Sequence, residues 1–82
     1  MTTVRYWAGA RAAAGTATDE LDAATLADAL EAAVAAHGQR LQQVLGVCAF
    51  VVDGDPVGAR PHASIALAAG SLVDVLPPFA GG

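Results

Sequence analysis

Lysine is absent from this 82-residue chain. The only basic side chains are Arg5, Arg11, Arg40 and Arg60. The amino group of Met1 is then the only internal amine able to accept an acyl group, so the chain is not expected to build side-chain-linked polymers of itself. A genome biased towards Ala, Gly and Arg codons accounts for the gap. Basic residues are also too few and too scattered for a nucleic-acid partner. Neutralising phosphates takes clustered Lys and Arg, and here the net charge is −4. An acidic body suits a basic docking surface on another protein. Cys48 is the lone cysteine, which excludes an internal disulfide and sets a cytoplasmic expectation. No apolar run approaches the ~20 residues that span a bilayer. Met1-Thr2-Thr3-Val4-Arg5 enters a strand pattern with no basic-then-apolar leader before it, so neither secretion nor a membrane is expected. His37, His62 and Cys48 lie too far apart to form a metal site, and there is no glycine-rich phosphate loop or nucleophile triad.

What the chain does contain is alanine in abundance, with enough Leu, Val and Ile for one modest core in a single small domain. Residues 3–8 (TVRYWA) read as a strand with Val4, Tyr6 and Ala8 on one face and Thr3, Arg5 and Trp7 on the other. Residues 9–15 read as a turn or a short helical piece. Residues 16–22, polar with β-branched threonines, read as an edge strand antiparallel to the first. Thr25 caps a helix running to His37, with Asp28 three residues on and Leu26, Ala29, Leu30, Ala33, Val34 and His37 forming one apolar stripe; Gly38 stops it. A short turn follows around Arg40–Leu45. Residues 47–52 (VCAFVV) read as a buried strand, closed by the hairpin signal Asp53-Gly54, with a weak partner strand near Val57. Residues 60–69 read as an irregular loop, and Gly70 introduces a last strand over 71–76.

Two hairpins around one crossover helix give an α+β fold, with the helix across one face of a mixed sheet of four to five strands. The crossover lets the first and last strands lie parallel, side by side. That is the β-grasp (ubiquitin-like) arrangement. A body of residues 1–76 is then followed by a tail of residues 77–82.

The tail is the most informative stretch. Pro77-Pro78 cannot donate to a sheet ladder and fixes an extended course. Gly81-Gly82 has no side chain to pack, and the six residues span roughly 20 Å when extended. The tail therefore reads as a probe whose only reactive group is the Gly82 carboxylate. A carboxylate must become an acyl phosphate or adenylate before it accepts a nucleophile, and a channel too narrow for Cβ atoms admits only glycine. Phe79 and Pro78, with Leu76 and Trp7, form a candidate partner-binding patch on the sheet face away from the helix. Arg5 and Asp74 fall on the same face and are placed to pair across strands. Cys48, in an apolar strand with no His or Lys close in sequence, reads as structural. Asp53 and Asp55 are explained by turn chemistry, and Tyr6 is a core residue whose hydroxyl reaches an edge. The body itself holds no catalytic constellation, so it is not expected to be an enzyme on its own.

On several of these segments the chain resembles the MoaD/ThiS family of ubiquitin-like sulfur carriers, nearest the MoaD type. The segments are Val4-Arg5-Tyr6-Trp7-Ala8, Thr25-Leu26-Ala27-Asp28-Ala29-Leu30, Phe50-Val51-Val52-Asp53-Gly54 and, most specifically, residues 73–82 with their double proline. The resemblance implies a β-grasp fold and a role as a protein-bound sulfur donor. An adenylyltransferase related to ubiquitin-activating enzymes would use ATP to adenylate Gly82, and a persulfide donor protein would convert the adenylate to a thiocarboxylate. The large subunit of molybdopterin synthase would receive the tail, with the sulfur going to the dithiolene of molybdopterin. No cofactor is implied on the carrier itself. In this reading Gly82 carries the sulfur, Gly81 and Ala80 are its slim neighbours, and Phe79 anchors in the partner. The chain departs from the family in having Gly70-Ser71-Leu72 where Gly-Asp-Glu is usual, Asp74 where a small or apolar residue is usual, and a long 60–69 loop. Three other readings stand beside it: a carrier for cysteine, thiamine or another sulfurated product, a ubiquitin-like modifier of lysines, and an interaction domain with an incidental Gly-Gly end.

Overall fold

A computed structural model describes residues 1–78. Five strands form one sheet, and three helices pack with it. In chain order these are β1 (Thr2–Tyr6), α1 (Ala8–Ala14), β2 (Thr18–Leu21), α2 (Leu26–His37), α3 (Gln39–Leu45), β3 (Ala49–Val52), β4 (Asp55–Pro56) and β5 (Leu72–Leu76), with a 3₁₀ turn at His62–Ser64 before the last strand. The sheet order is β2-β1-β5-β3-β4. β1 and β5 are parallel at the centre, and the other pairs are antiparallel. The crossover expected from sequence is present, and the first and last strands lie side by side.

β1, β3 and β5 alternate as half-buried strands must. Val4 and Tyr6 of β1, Phe50 and Val52 of β3, and Val73 and Val75 of β5 turn into the core. Leu26, Ala29, Leu30 and Ala33 of α2 meet them there, and Leu41 and Leu45 of α3 complete the layer. Two leucines and two alanines make up the buried face of α2. The Thr25 hydroxyl accepts from the Asp28 amide at 3.1 Å, the expected cap, and the Gly38 amide closes the helix by donating to Val34. Asp53 (φ 51°) and Gly54 (φ 82°) both take positive φ, which a two-residue type I′ hairpin requires.

Three assignments change. The first strand stops at Tyr6 rather than Ala8, because the Trp7 carbonyl already accepts from Ala10 and Arg11 as α1 begins. Ala8 takes a positive φ of 49° there and lies exposed, so it is not a core residue. The third strand starts at Ala49 rather than Val47. Val47 is exposed, and Cys48 lies just before the strand, half-buried. The turn expected around residues 40–45 is the full seven-residue helix α3. Among the described residues, no helix is long and apolar enough to cross a membrane.

Candidate partner face and the root of the tail

The sheet face away from α2 carries a transverse row, Arg5 of β1, Asp74 of β5, Val51 of β3 and Pro56 of β4, set by the strand register. Arg5 and Asp74 are direct neighbours on parallel strands. Arg5 Nε donates to Asp74 Oδ1 at 2.8 Å and Nη2 donates to Oδ2 at 3.1 Å, a two-pronged ion pair. The expected pairing is therefore present. Trp7 then adds a contact that strand periodicity does not show, for its indole Nε1 donates to Asp74 Oδ1 at 3.0 Å. The Arg5 guanidinium sits 5.5 Å from the centre of the Trp7 ring. The Trp7 backbone amide also donates to the Val75 carbonyl. Trp7 is thus tied to β5 at both its main chain and its ring, although 44% of its surface is exposed.

The hydrogen bonds from Arg5 hold the Asp74 carboxyl below the usual carboxylate range. Partial burial opposes this, and the indole bond reinforces it. Because the folded state binds its proton less readily than the unfolded chain, the Asp74 contribution to stability is complete above about pH 4 and is lost as acidity passes the folded value. Fluorescence of Trp7, the lone tryptophan, should report a single transition below about pH 4. Asp74→Asn should remove that transition. A wild-type signal that stays flat through acid, until the whole domain unfolds, would show that the indole does not sense the pair.

Leu76 follows Asp74 on the same face and ends β5, opposite Ala49. It lines one end of a groove of about 640 Å³ whose walls include Leu45, Cys48, Phe50, Val51 and Pro56. Burial pushes the Cys48 thiol upward, which matches a structural rather than a nucleophilic cysteine. Pro77 and Pro78 leave the sheet and are exposed. Arg5, Trp7, Asp74 and Leu76 therefore share the surface from which residue 77 departs. The sequence-predicted residues Phe79, Ala80, Gly81 and Gly82 lie outside the described residues.

Sequence reasoning missed two further polar clusters. Asp19 of β2 receives the Tyr6 hydroxyl at 2.7 Å and meets His37 Nε2 at 2.5 Å, joining the edge strand to the end of α2. Burial first, and then the bond to Asp19, push the Tyr6 phenol well above its ordinary range. The Asp53 carboxylate accepts from the Ser71 hydroxyl and the Leu72 amide, so the hairpin aspartate also fastens the start of β5. The signal available for the first was Tyr6 in a core-facing position, which needs a partner for its hydroxyl. Among the described residues, no group of three or more His, Cys, Asp or Glu side chains is placed to hold a metal.

A family model described as the ThiS family matches residues 4–82. The chain belongs to the ThiS family. No match was found among curated proteins. Solved structures give the same architecture. The chain is similar to small archaeal modifier protein 1 of Haloferax volcanii, at 28% identity and a TM-score of 0.78 over 99% of this chain and 98% of that one. It is similar to a chain of the BexX/CysO complex of Amycolatopsis orientalis, at 18% identity and a TM-score of 0.81 over all of both chains. It also resembles a chain of the complex of subunits 1 and 2 of the molybdopterin-converting factor of Helicobacter pylori, at 23% identity and a TM-score of 0.70 over 99% and 97%. This ThiS-family domain thus has the ubiquitin-like β-grasp fold of sulfur carriers and modifiers, and two of these neighbours were solved in protein complexes.

Proposed function

We propose that the chain is a sulfur carrier that works through the carboxylate of Gly82 and donates sulfur for dithiolene formation in molybdopterin biosynthesis, as the small subunit of the synthase. The observation that carries the reading is the family match running through Gly81-Gly82, at the end of the six residues that follow a strand at the sheet centre. The double proline Pro77-Pro78 favours the molybdopterin branch. Residues 77–82 act as the tail and the rest as the body that partners grip.

In this reading the Gly82 carboxylate attacks the α-phosphorus of ATP in an adenylyltransferase. An acyl adenylate forms and pyrophosphate leaves. The terminal sulfur of a donor protein's persulfide then displaces AMP, giving an acyl disulfide. A second thiol cleaves its S–S bond, leaving a thiocarboxylate on Gly82 and a disulfide on the donor. The thiocarboxylate sulfur attacks an electrophilic carbon of the pterin precursor in the large subunit and displaces an oxygen substituent from it. Water then splits the acyl–sulfur bond, leaving the sulfur on the pterin and regenerating the carboxylate. ATP is consumed by the activating partner and none is bound by the carrier. The carrier contributes reach, slimness and a docking face, and the catalytic groups belong to its partners. Its location in this reading is the cytoplasm, with those partners.

Intact mass after incubation with the activating enzyme, ATP and a persulfide donor tests this. The expected result is replacement of one oxygen by sulfur, followed by conversion of the pterin precursor when the large subunit is added. Likeness to an archaeal modifier supports a second reading, conjugation to lysines of other proteins. Isopeptide adducts without any sulfur gain would replace the first reading by that one. A sulfur gain without pterin conversion would move the carrier to cysteine, thiamine or another sulfurated product.

A further inference from the structure

We infer that Arg5 and Asp74 together determine which activating protein can dock, by requiring an uncharged hydrogen-bond acceptor opposite Arg5. The inference rests on the sulfur-carrier reading and specifies the partner surface that reading needs. Hydrogen-bond valence distinguishes the two side chains. Asp74 receives three donors, Arg5 Nε, Arg5 Nη2 and Trp7 Nε1, and its side chain is only 16% exposed. It has little left to offer a partner. Arg5 is the reverse case. Its side chain is 43% exposed, and among the described residues Nη1 donates to nothing. A guanidinium has five N–H groups, and two are in use.

The surroundings set the rest of the chemistry. Val51 flanks Asp74 in the next strand, Pro56 lies beyond it, and Ala49 and Leu76 form the neighbouring row. On the other side the row continues from Arg5 to the exposed Thr18 of β2, with the exposed Trp7 indole beside it. Pro77 is three positions on from Asp74, roughly 10 Å of extended chain. A protein that takes up the tail to its last residue is therefore brought against this face. Once it is covered, the unused Arg5 N–H groups lose water and must find an acceptor. The pair already sums to zero charge. A partner carboxylate would leave a net negative charge in the closed interface, which is costly, whereas a backbone carbonyl or an Asn or Gln amide oxygen satisfies the donor and leaves the pair neutral. A partner with a wholly apolar surface at this point would strand the donor and is rejected.

The test is ATP–pyrophosphate exchange by the activating enzyme of the same organism, with the carrier as the varied substrate. R5L/D74A removes the donor and its counter-charge together, leaving the partner's acceptor unmatched. The carrier KM should rise about 10- to 100-fold with kcat unchanged. The thermal midpoint should move little, because half-exposed ion pairs add little stability. R5D/D74R retains a neutral pair but moves the surplus N–H groups to the other strand, and the same rise in KM is expected. If the pair served only as a neutral charge pair across the two strands, the swapped variant would behave as wild type, and that result overturns the inference. So does a KM within twofold of wild type for R5L/D74A. Wild type is first assayed for the gain of sulfur mass. Failure there removes the sulfur-carrier reading and the inference with it, while normal sulfur gain with unchanged KM removes the docking role alone.

Discussion

Removal of Gly82, or addition of one residue after it, is expected to abolish adenylation while leaving the folded body intact. The reacting carboxylate would be displaced by about one residue, roughly 3.3 Å in an extended chain. A 1 Å misplacement in a positioned reaction is enough to cost about 10²-fold, so pyrophosphate exchange should fall by at least that factor and approach background. The thermal midpoint should stay within about 2 °C, because the buried core among the described residues runs from Val4 to Val75. Exchange assays and calorimetry on the same samples decide the matter. Near-normal exchange by the extended chain would mean that the last carboxylate is not the reacting group. A large fall in melting temperature would mean that the tail helps hold the body together.

Leu26→Ala should have the opposite signature. Leu26 is fully buried at the start of α2, and its amide is already committed to the Ile65 carbonyl, so the helix cannot slide to fill the gap. Truncating a buried leucine costs about 2–5 kcal/mol. A domain of this size has a total stability on the order of 4–12 kcal/mol, so a large part of it would be lost. With a change of about 4–8 °C for each kcal/mol, the midpoint should fall by tens of degrees. Denaturant unfolding with a shared slope would give the value directly. At a temperature where the variant is still folded, its Gly82 chemistry should be that of wild type. Val47→Ser makes the control, since Val47 is 64% exposed and its change should stay within about 0.5 kcal/mol. A similar loss in both variants would contradict the core described above.

The two results would separate a body that confers stability from a terminus that confers reactivity. The Arg5–Asp74–Trp7 cluster lies between them, on the body but at the root of the tail, and its proposed effect is on KM alone. That division is what a carrier visited by several enzymes needs. Each partner must grip the same small domain, and each must then reach one terminal carbon. A lysine-free sequence adds a further simplification, since an activated Gly82 meets no side-chain amine on a second copy of the chain.

Local patterns were enough for much of this. Alternation in TTVRY and LVDVL fixed which side chains enter the core, because a strand repeats every two residues whatever its neighbours are. Thr25 and Asp53-Gly54 marked a cap and a hairpin through bonds and dihedral angles that span only a few residues. The order of elements led to the parallel central pair, and the Pro-Pro and Gly-Gly steps led to the tail chemistry. Even the Arg5–Asp74 pairing could be read, because both residues fell on one face of neighbouring strands.

Tertiary structure decided the rest, and for one reason. A polar side chain chooses its partner by position in space, and partners here are up to 69 residues apart. Whether Trp7 continued the strand depended on α1 starting at once, with the Trp7 amide captured by Val75 and the indole by Asp74. His37 reads as a helix end in isolation, yet in the fold it meets Asp19 and the edge of the Tyr6 ring. Asp53 reads as a turn residue, yet it also fastens β5. Sequence alone determined the β-grasp plan. The fold alone determined that Trp7, Arg5 and Asp74 form one hydrogen-bonded cluster, because only strand register brings three donors to a single carboxylate.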